Sequence, residues 1–494
     1  MAMAAATEQY VLLPAQGLRA KGRGTTPGAQ EFLMSVGSAD RKGAVSLESG
    51  SIRIKVVDSI SPDGAKLLEL TPDAALAIRA QQPGLRLVPV VYYTPAVAPP
   101  MQIEEHHVAS AGAGTVSLTV KSKDKSPVAG AFVVAFTNFA ARAGAQGVTD
   151  ANGQVQLALS GAGTKLDRVY VYPVTPHWSL LKKKVTVTSS MVMTMAPLDL
   201  GYTDGLRHFY GNPDLAAGAG VTVAVVDTGV AAHPDLVIAG GANTVPGEDP
   251  NDYGDNGQHH GTHVAGIIAA RGQAPTGLRG VAPGVTLRAY RVFGQGSGSA
   301  TSFAIAKAID LAVTDKCDLI NMSLGGGQPD PVLTAAVEDV RAKGSLCVIA
   351  AGNGDRAPVS FPATDGMAIA VSALGRKGTF PASSAEADDI AAPYGTDKAD
   401  FIASFSNVGP EIDLTGPGVG IMSTFPNGYA EISGTSMACP AVTGAAARVL
   451  AASGVLKTKR DATRSAGIVT ALLASAHSLG FQAQFEGHGL PEPQ

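Results

Sequence analysis

The sequence predicts an α/β domain with a parallel sheet flanked by helices, preceded by a small α+β unit and an all-β sandwich. Three observations lead to this prediction. Residues 221–226 form an almost wholly apolar, β-branched run, which is typical of a parallel strand buried on both faces. From about residue 200 onward, such strands alternate with amphipathic helix patterns. Residues 114–197 instead contain several short segments in which apolar and polar residues alternate.

The composition is that of a globular protein of about two to four domains. Of the 494 residues, 45% are hydrophobic and 16% are charged, and the formal net charge is -4. The longest basic run is three lysines at 182–184, so the sequence has no electrostatic footprint for nucleic acid or an anionic membrane. Three scattered cysteines are too few for a disulfide framework.

The start of the chain lacks the pattern of a secretory signal peptide, and no apolar run reaches the length of about 18 residues that spans a bilayer. We therefore expect a cytoplasmic or non-classically exported protein without a membrane span.

Changes in composition and pattern divide the chain into four segments. A Gly- and Ala-rich start is expected to be a loosely ordered arm, and a short strand-helix-strand unit follows it. In that unit Thr71 and Pro72 form a helix start and Gly84 can close the helix. The four expected segments are the arm at 1–50, the α+β unit at 51–95, the sandwich at 114–197 and the α/β domain at 200–494.

Three motifs in the α/β domain contain the residue types of nucleophilic catalysis. Asp227-Thr-Gly ends the buried strand, His-Gly-Thr-His-Val-Ala-Gly opens a helix at 260–266, and Gly-Thr-Ser-Met-Ala-Cys-Pro opens another at 434–440. Carboxyl ends of strands and amino ends of helices lie on the same edge of such a sheet. A serine hydroxyl is a poor nucleophile and needs a histidine base, which a carboxylate orients.

Each motif alone has a simpler interpretation. Asp-Thr-Gly also occurs in aspartic proteases, but those need two such carboxylates and the sequence contains no second copy. The histidines at 259, 260 and 263 lack the His-Glu-x-x-His spacing of a zinc site and an obvious acidic ligand nearby. Gly-Thr-Ser by itself would be an ordinary helix start.

Taken together and in this order, the motifs make the region from about 200 to 494 resemble the subtilisin family of serine endopeptidases. The resemblance implies a catalytic triad of Asp227, His263 and Ser436. Residues 350–353, Ala-Ala-Gly-Asn, match the family's oxyanion-hole motif, which implies that the Asn353 side chain stabilises the oxyanion. No cofactor is required for this chemistry. With neutral His263 as the base, activity should rise with pH through an imidazole pKa of about 6–7.5.

The resemblance extends to substrate and metal binding. Residues 321–326 match the family's substrate-binding strand, which implies that Ser323, Leu324 and Gly325, together with Gly352, hold an extended peptide. Family members often bind structural calcium, and the match at 233–236 makes Asp235 a candidate ligand. The companion loop at 271–279 lacks the expected Asn and contains two arginines, which puts that calcium site in doubt.

Residues 51–95 resemble the family's inhibitory propeptide, which implies an autoinhibited precursor. Its tail, residues 93–96, would add a strand beside Ser323–Gly325, so the partners are protein or peptide substrates and the chain's own N-terminal segment as a cis inhibitor. Cleavage is expected near residues 94–110, or else near residue 200. The sandwich resembles repeat modules of surface proteins. The alternative function is a binding protein in which this sandwich accompanies a latent or inactive protease domain.

Overall fold

In the computed structural model, the described residues are 6–20, 25–38, 44–47, 50–104, 115–159, 165–174, 176–188 and 190–493. They form an N-terminal α+β unit, a β-sandwich and a large α/β domain, so the predicted fold class is confirmed. Among the described residues, no helix is both long enough and apolar enough to cross a membrane.

The N-terminal unit is an antiparallel sheet covered on one face by helices. Thr71 caps its second helix by accepting a hydrogen bond from the Ala74 N–H, and Pro72 occupies the first helical position. Its elements are β1 (Glu8–Pro14), α1 (Pro27–Ser38), β2 (Ala44–Leu47), β3 (Gly50–Arg53), β4 (Lys55–Ser59), β5 (Lys66–Leu70), α2 (Pro72–Gln81) and β6 (Leu85–Pro89). The strand order in the main sheet is β4-β5-β1-β6.

The expectation of a loosely ordered arm over residues 1–50 is wrong for β1 and α1. β1 is a central strand that pairs with both β5 and β6. Tyr10 and Leu12 pack under the helices, whereas Val11 and Leu13 pack against the α/β domain. Burial on both faces explains why β1 shows no alternation of polar and apolar residues. Residues 1–5, 21–24, 39–43 and 48–49 lie outside the described part of the chain.

The sandwich follows a short strand, β7 (Tyr92–Pro95), that leaves the N-terminal unit. Its described residues form the strands β8 (Thr115–Ser122), β9 (Phe132–Asn138), β10 (Ala143–Val148), β11 (Gln154–Ala158), β12 (Lys165–Tyr172), β13 (Leu180–Thr186) and β14 (Ser190–Met195). They form one sheet in the order β10-β9-β12-β13 and a second in the order β11-β8-β14. Alternate residues of β8 are buried, as expected where one face of a strand covers a core.

The α/β domain contains helices that cover both faces of one large sheet. Its first half comprises α3 (Gly205–Tyr210), β15 (Thr222–Asp227), β16 (Ile238–Asn243), α4 (His260–Ala269), β17 (Thr286–Arg291), β18 (Ala300–Thr301), α5 (Ser302–Thr314), β19 (Leu319–Met322), β20 (Leu324–Gly325), α6 (Pro331–Ala342) and β21 (Leu346–Ala350). Its second half comprises β22 (Ile369–Arg376), β23 (Asp400–Ile402), β24 (Leu414–Pro417), β25 (Ile421–Phe425), β26 (Gly428–Ile432), α7 (Thr435–Ala452), α8 (Ala462–Ala474), β27 (Ala476–His477), α9 (Ala483–Glu486) and β28 (Leu490–Pro491).

The strand order of this sheet determines where a site can form. The order is β16-β17-β15-β19-β21-β22, with β23 and β24 both paired to β22. All pairs are parallel except the one between β22 and β23. The carboxyl ends of the central strands β15, β19 and β21 therefore share one edge, and α4 and α7 begin beside it.

Candidate active site

The first part of the site lies where β15 ends and α4 begins. Asp227 is the last residue of β15, and its Oδ1 lies 2.7 Å from Nδ1 of His260, the first residue of α4. Both side chains are buried. Within the described part of the chain, Nε2 of His260 has no hydrogen-bond partner. The carboxylate thus holds one ring nitrogen and leaves the other available as a base.

The prediction that His263 is the base is wrong. His263 lies three residues further along α4, about 4.5 Å deeper along the helix axis. Its Nε2 is 3.1 Å from the carbonyl oxygens of both Ile421 and Ala430, so this nitrogen is the N–H donor. Burial lowers the pKa of His263 to about 3, so the ring is neutral and does not titrate near neutral pH.

His260 was missed because the motif at 260–266 contains two histidines in equivalent chemical contexts. The signal that separates them is the position of the helix start. The first residue of α4 lies at the sheet edge beside the end of β15, whereas the residue one turn later faces β25 and β26.

Ser436, the predicted nucleophile, is the second residue of α7. Its hydroxyl donates to the carbonyl of Ser323 at 3.0 Å. Pro440 lies within α7 and cannot donate to the Ser436 carbonyl four residues earlier, and the Ser323 hydroxyl donates to that carbonyl instead, at 3.0 Å. The start of α7 is thereby bonded to the residue that precedes β20.

The start of α7 lies at the same sheet edge as the Asp227–His260 pair. Helices α4 and α7 pack against each other. Ser323, whose carbonyl accepts from the Ser436 hydroxyl, directly follows β19, the strand that pairs with β15. The structure therefore brings together Asp227, His260 and Ser436 at one sheet edge.

Two hydrogen-bond donors converge on a single carbonyl oxygen beside Ser436. The backbone N–H of Ser436 donates to the carbonyl of Ala96 at 3.0 Å, and Nδ2 of Asn353 donates to the same oxygen. The other side-chain atom of Asn353, Oδ1, accepts from the Thr435 N–H at 2.9 Å. That bond fixes the orientation of the amide, so the NH₂ group points at Ala96.

Gly352 shapes this part of the site through its backbone. Its φ of +102° is a conformation that side chains disfavour, and a Cβ there would lie 2.5 Å from Nδ2 of Asn407. Its N–H donates to the Thr435 hydroxyl at 3.1 Å. Its carbonyl accepts from the Asn407 N–H at 2.9 Å. In the described part of the chain, both backbone groups of Gly352 therefore bond within the α/β domain and not to β7, so Gly352 positions Asn353 against α7 and is not part of the predicted substrate-binding strand.

The predicted substrate-binding strand pairs with β7 of the same chain. Leu324 lies opposite Pro95 and Gly325 lies opposite Thr94 in an antiparallel ladder. The N–H of Ala96 donates to the Ser323 carbonyl at 3.0 Å. On its other edge, β7 pairs with β18. An extended segment thus enters the cleft as a middle strand and ends at the paired donors on Ala96.

Tyr93 anchors this strand in a pocket. Its side chain is 0% exposed, and its ring lies 6.3 Å from that of Phe361, centroid to centroid. A Cβ on Gly327 would lie 2.2 Å from the tyrosine ring, so a glycine is needed for the pocket to admit it. Past Ala96, the N–H of Ala98 donates to the Ser433 carbonyl at 3.0 Å.

The structure does not support the predicted role of Asp235 as a calcium ligand. Its Oδ2 accepts hydrogen bonds from the Leu278 N–H at 2.8 Å and the Tyr429 hydroxyl at 2.9 Å. In the neighbouring loop, the Arg279 guanidinium donates to the carbonyls of Gly272 and Pro213. Among the described residues, no group of three or more histidine, cysteine or acidic side chains could hold a metal ion. Asp235 anchors the loop.

Comparison with known proteins identifies the family to which this chain belongs. The model of the subtilase family matches residues 218–489, which is more than half of the chain. The chain belongs to the subtilase family. The match includes Asp227, His260, Asn353 and Ser436 and excludes the N-terminal unit and the sandwich. This subtilase is therefore a subtilisin-like serine protease, a hydrolase.

Individual relatives are similar over the same part of this subtilase. Subtilisin Savinase of Lederbergia lenta is 40% identical over 275 residues, which are 55% of this chain and 89% of the relative. An alkaline protease of Alkalihalobacillus alcalophilus is 40% identical over 275 residues, or 55% of this chain and 63% of the relative. Subtilisin DY of Bacillus licheniformis is 40% identical over 261 residues, or 52% of this chain and 85% of the relative.

Proposed function

We propose that the chain is a serine endopeptidase in which Ser436 is the nucleophile, His260 the base and Asp227 the group that orients it. The observation on which this proposal rests is the position of the Ala96 carbonyl. Its oxygen accepts from both the Ser436 N–H and the Asn353 side chain, which is the arrangement that stabilises an oxyanion. Loss of one such donor typically costs about 3–4 kcal/mol of transition-state stabilisation.

The chemistry begins with rotation of the Ser436 hydroxyl from the Ser323 carbonyl to Nε2 of His260. The serine oxygen then attacks the carbonyl carbon while Nε2 takes its proton, and Asp227 stabilises the imidazolium through Nδ1–H. The oxyanion is held by Asn353 and the Ser436 N–H. His260 passes the proton to the departing amine, and water, activated by the same base, releases the acyl group.

The chain's own N-terminal unit acts as the cis inhibitor in this proposal, and the full chain is a zymogen. Residues 92–98 occupy the cleft without a break, and the Ala96 carbonyl is at the oxyanion donors. The bond between Ala96 and Val97 is therefore the one presented for cleavage. A covalent tether gives the inhibitor an effective concentration around millimolar.

This position favours cleavage near residues 94–110 over cleavage near residue 200. Residues close to 200 are packed elsewhere: the Leu198 N–H donates to the Pro176 carbonyl, and Leu198, Leu200 and Tyr202 pack against the core of the α/β domain. Cleavage after Ala96 leaves the sandwich attached to the enzyme. The substrates proposed for the released enzyme are proteins and peptides.

A fluorophosphonate probe tests the proposed nucleophile, because it labels a serine only where the base and oxyanion donors are assembled. The wild type should be labelled at Ser436 and should hydrolyse a peptide substrate. Ser436→Ala should lose both properties while keeping its thermal unfolding transition. A folded wild type that neither takes the label nor hydrolyses peptides would support the alternative, a binding protein with an inactive protease domain.

A further inference from the structure

The polypeptide that leaves the active site crosses the sandwich. Val97 is the first residue after the proposed cleavage point, and Met101 and Ile103 are the fifth and seventh. Pro99 and Pro100 have no N–H, so the next backbone donor after Ala98 is that of Met101. The Met101 N–H donates to the Tyr172 hydroxyl at 3.1 Å, and the Ile103 N–H donates to Oε1 of Gln146 at 2.7 Å.

Side chains of the same segment fill an apolar surface on the sandwich. Ile103 is 7% exposed and packs in a cluster with Val134, Phe136, Tyr170 and Leu181, and Met101 packs against that cluster. These residues belong to the β10-β9-β12-β13 sheet, whose opposite face forms the sandwich core. The outer face of this sheet is thus a binding surface for an extended chain, with an apolar pocket and two hydrogen-bond acceptors.

The sandwich is held in place beside the cleft by polar contacts. Asp388 of the α/β domain bonds Tyr170 and Arg168, and its other oxygen lies 2.7 Å from Nζ of Lys183. The Ser179 hydroxyl donates to the Glu386 carboxylate, 2.8 and 2.7 Å from its two oxygens. These contacts bond the sandwich strands β12 and β13 to the α/β domain and place the apolar surface beside the cleft.

A cavity of about 240 Å³ remains between residues 98–101, the sandwich and the α/β domain. Space at this point allows residues larger than Pro99 and Pro100 at the third and fourth positions after the cleaved bond. The surface therefore accommodates sequences other than the chain's own segment.

We propose that the sandwich is the downstream half of the substrate site. It binds an extended polypeptide substrate through the backbone N–H groups of the fifth and seventh residues after the cleaved bond, and it takes an aliphatic side chain at the seventh. Tyr172 and Gln146 are the hydrogen-bond acceptors, and the Phe136–Tyr170 cluster is the apolar pocket. This inference rests on the proposed peptidase function and on the register of residues 92–103.

The test compares two peptides with the matured enzyme. Both have the same residues up to the fourth position after the cleaved bond, and the longer one continues to the eighth with isoleucine at the seventh. The longer peptide should have a kcat/KM at least about tenfold higher, because burial of an isoleucine side chain favours binding. Replacement of that isoleucine by aspartate should remove most of the gain.

Variants of the enzyme locate the effect on the sandwich. Tyr172→Phe and Gln146→Ala each remove one acceptor and should lower the long-to-short ratio of kcat/KM by about 2- to 10-fold. Gln156→Ala, an exposed glutamine on the other sheet, is the matched control and should preserve the ratio. Equal kcat/KM values for the two peptides would overturn the proposal. That result would mean that the sandwich surface binds no substrate, or that the chain's own residues Val97–Ile103 stay bound there after cleavage. Hydrolysis of the short peptide and fluorophosphonate labelling report separately on the peptidase function.

Discussion

At the scale of single residues, the sequence located three of the four chemical groups that the structure assembles. Asp227 is the last residue of β15, Asn353 follows β21, and Ser436 lies in the first turn of α7, as the motifs predict. Residue type does not identify the base, because His260 and His263 are both histidines and lie within one turn of the same helix. Only the geometry of the helix start decides between them.

Substitution of each histidine distinguishes the two assignments. His260→Ala should lower kcat/KM by at least about 10⁴-fold, because Ser436 loses its base. His263→Gln should keep kcat/KM within about tenfold, since its amide can still donate to the carbonyl of Ile421 or Ala430. The measurement is peptide hydrolysis after each variant has been cut by added wild-type enzyme, which is then removed, because an inactive variant cannot cut itself. If His263→Gln were as inactive as His260→Ala while remaining folded, the assignment of the base would be contradicted.

The buried ring of His263 also predicts how stability depends on pH. Its pKa is lowered to about 3 in the fold, against about 6.5 in an unfolded chain. Between these values the unfolded state binds more protons, so the free energy of unfolding falls as the pH is lowered, by up to about 1.4 kcal/mol per pH unit. Urea unfolding of Ser436→Ala, with and without His263→Gln, should show a shallower pH dependence in the double variant. Equal slopes would contradict this.

At the scale of elements, the sequence predicts strands and helices best where one face meets solvent. The alternating strand β8 and the capped helix α2 are visible in the sequence because their patterns have a period. β1 is not visible, because it is buried on both faces and its partners β5 and β6 lie more than fifty residues further along the chain. A short, continuously apolar strand cannot be distinguished from other apolar segments without its partners.

The strand β7 allows a test of whether the Tyr93 pocket holds this strand in the cleft. Tyr93 is 0% exposed and fills the pocket beside Phe361, whereas the neighbouring Tyr92 is 57% exposed. Tyr93→Ala removes a buried aromatic ring, which typically costs about 3–5 kcal/mol. It should slow self-cleavage of the precursor at least tenfold, whereas Tyr92→Ala, the matched control, should change the rate less than about twofold. The time course of the intact chain measures both, and equal rates for the two variants would contradict the pocket assignment.

At the scale of the whole molecule, the relation between the sandwich and the protease domain could not be read from the sequence. The two units meet through individual contacts, such as those of Ser179 with Glu386 and of Tyr170 with Asp388, and none of these has a local sequence pattern. Their consequence is that the segment after Ala96 passes from the protease domain onto the sandwich. Sequence patterns reveal the units, whereas their assembly depends on side chains more than 200 positions apart.

Buried carboxyl groups where the sandwich meets the α/β domain predict a second pH dependence of stability, opposite in sign to that of His263. Burial and the neighbouring Glu386 raise the pKa of Glu431 well above its usual range, and also that of Asp389. The stability contributed by the protonated forms is present below the ordinary carboxyl pKa of about 4 and is lost as the pH rises through the raised values. Glu431→Gln in the Ser436→Ala chain should therefore raise the thermal midpoint at alkaline pH and have less effect at acidic pH. A gain that does not shrink toward acidic pH would contradict this explanation.

We propose that the chain presents its own Ala96–Val97 bond to a triad of Asp227, His260 and Ser436. The decisive measurement is mass spectrometry of the N-termini that the wild type and Ser436→Ala form. We predict that the wild type yields a chain that begins at Val97 and that Ser436→Ala remains uncut under the same conditions. A wild type that stays uncut yet hydrolyses peptides at full rate would contradict the claim, and a cut confined to residues 195–205 would contradict the assigned bond.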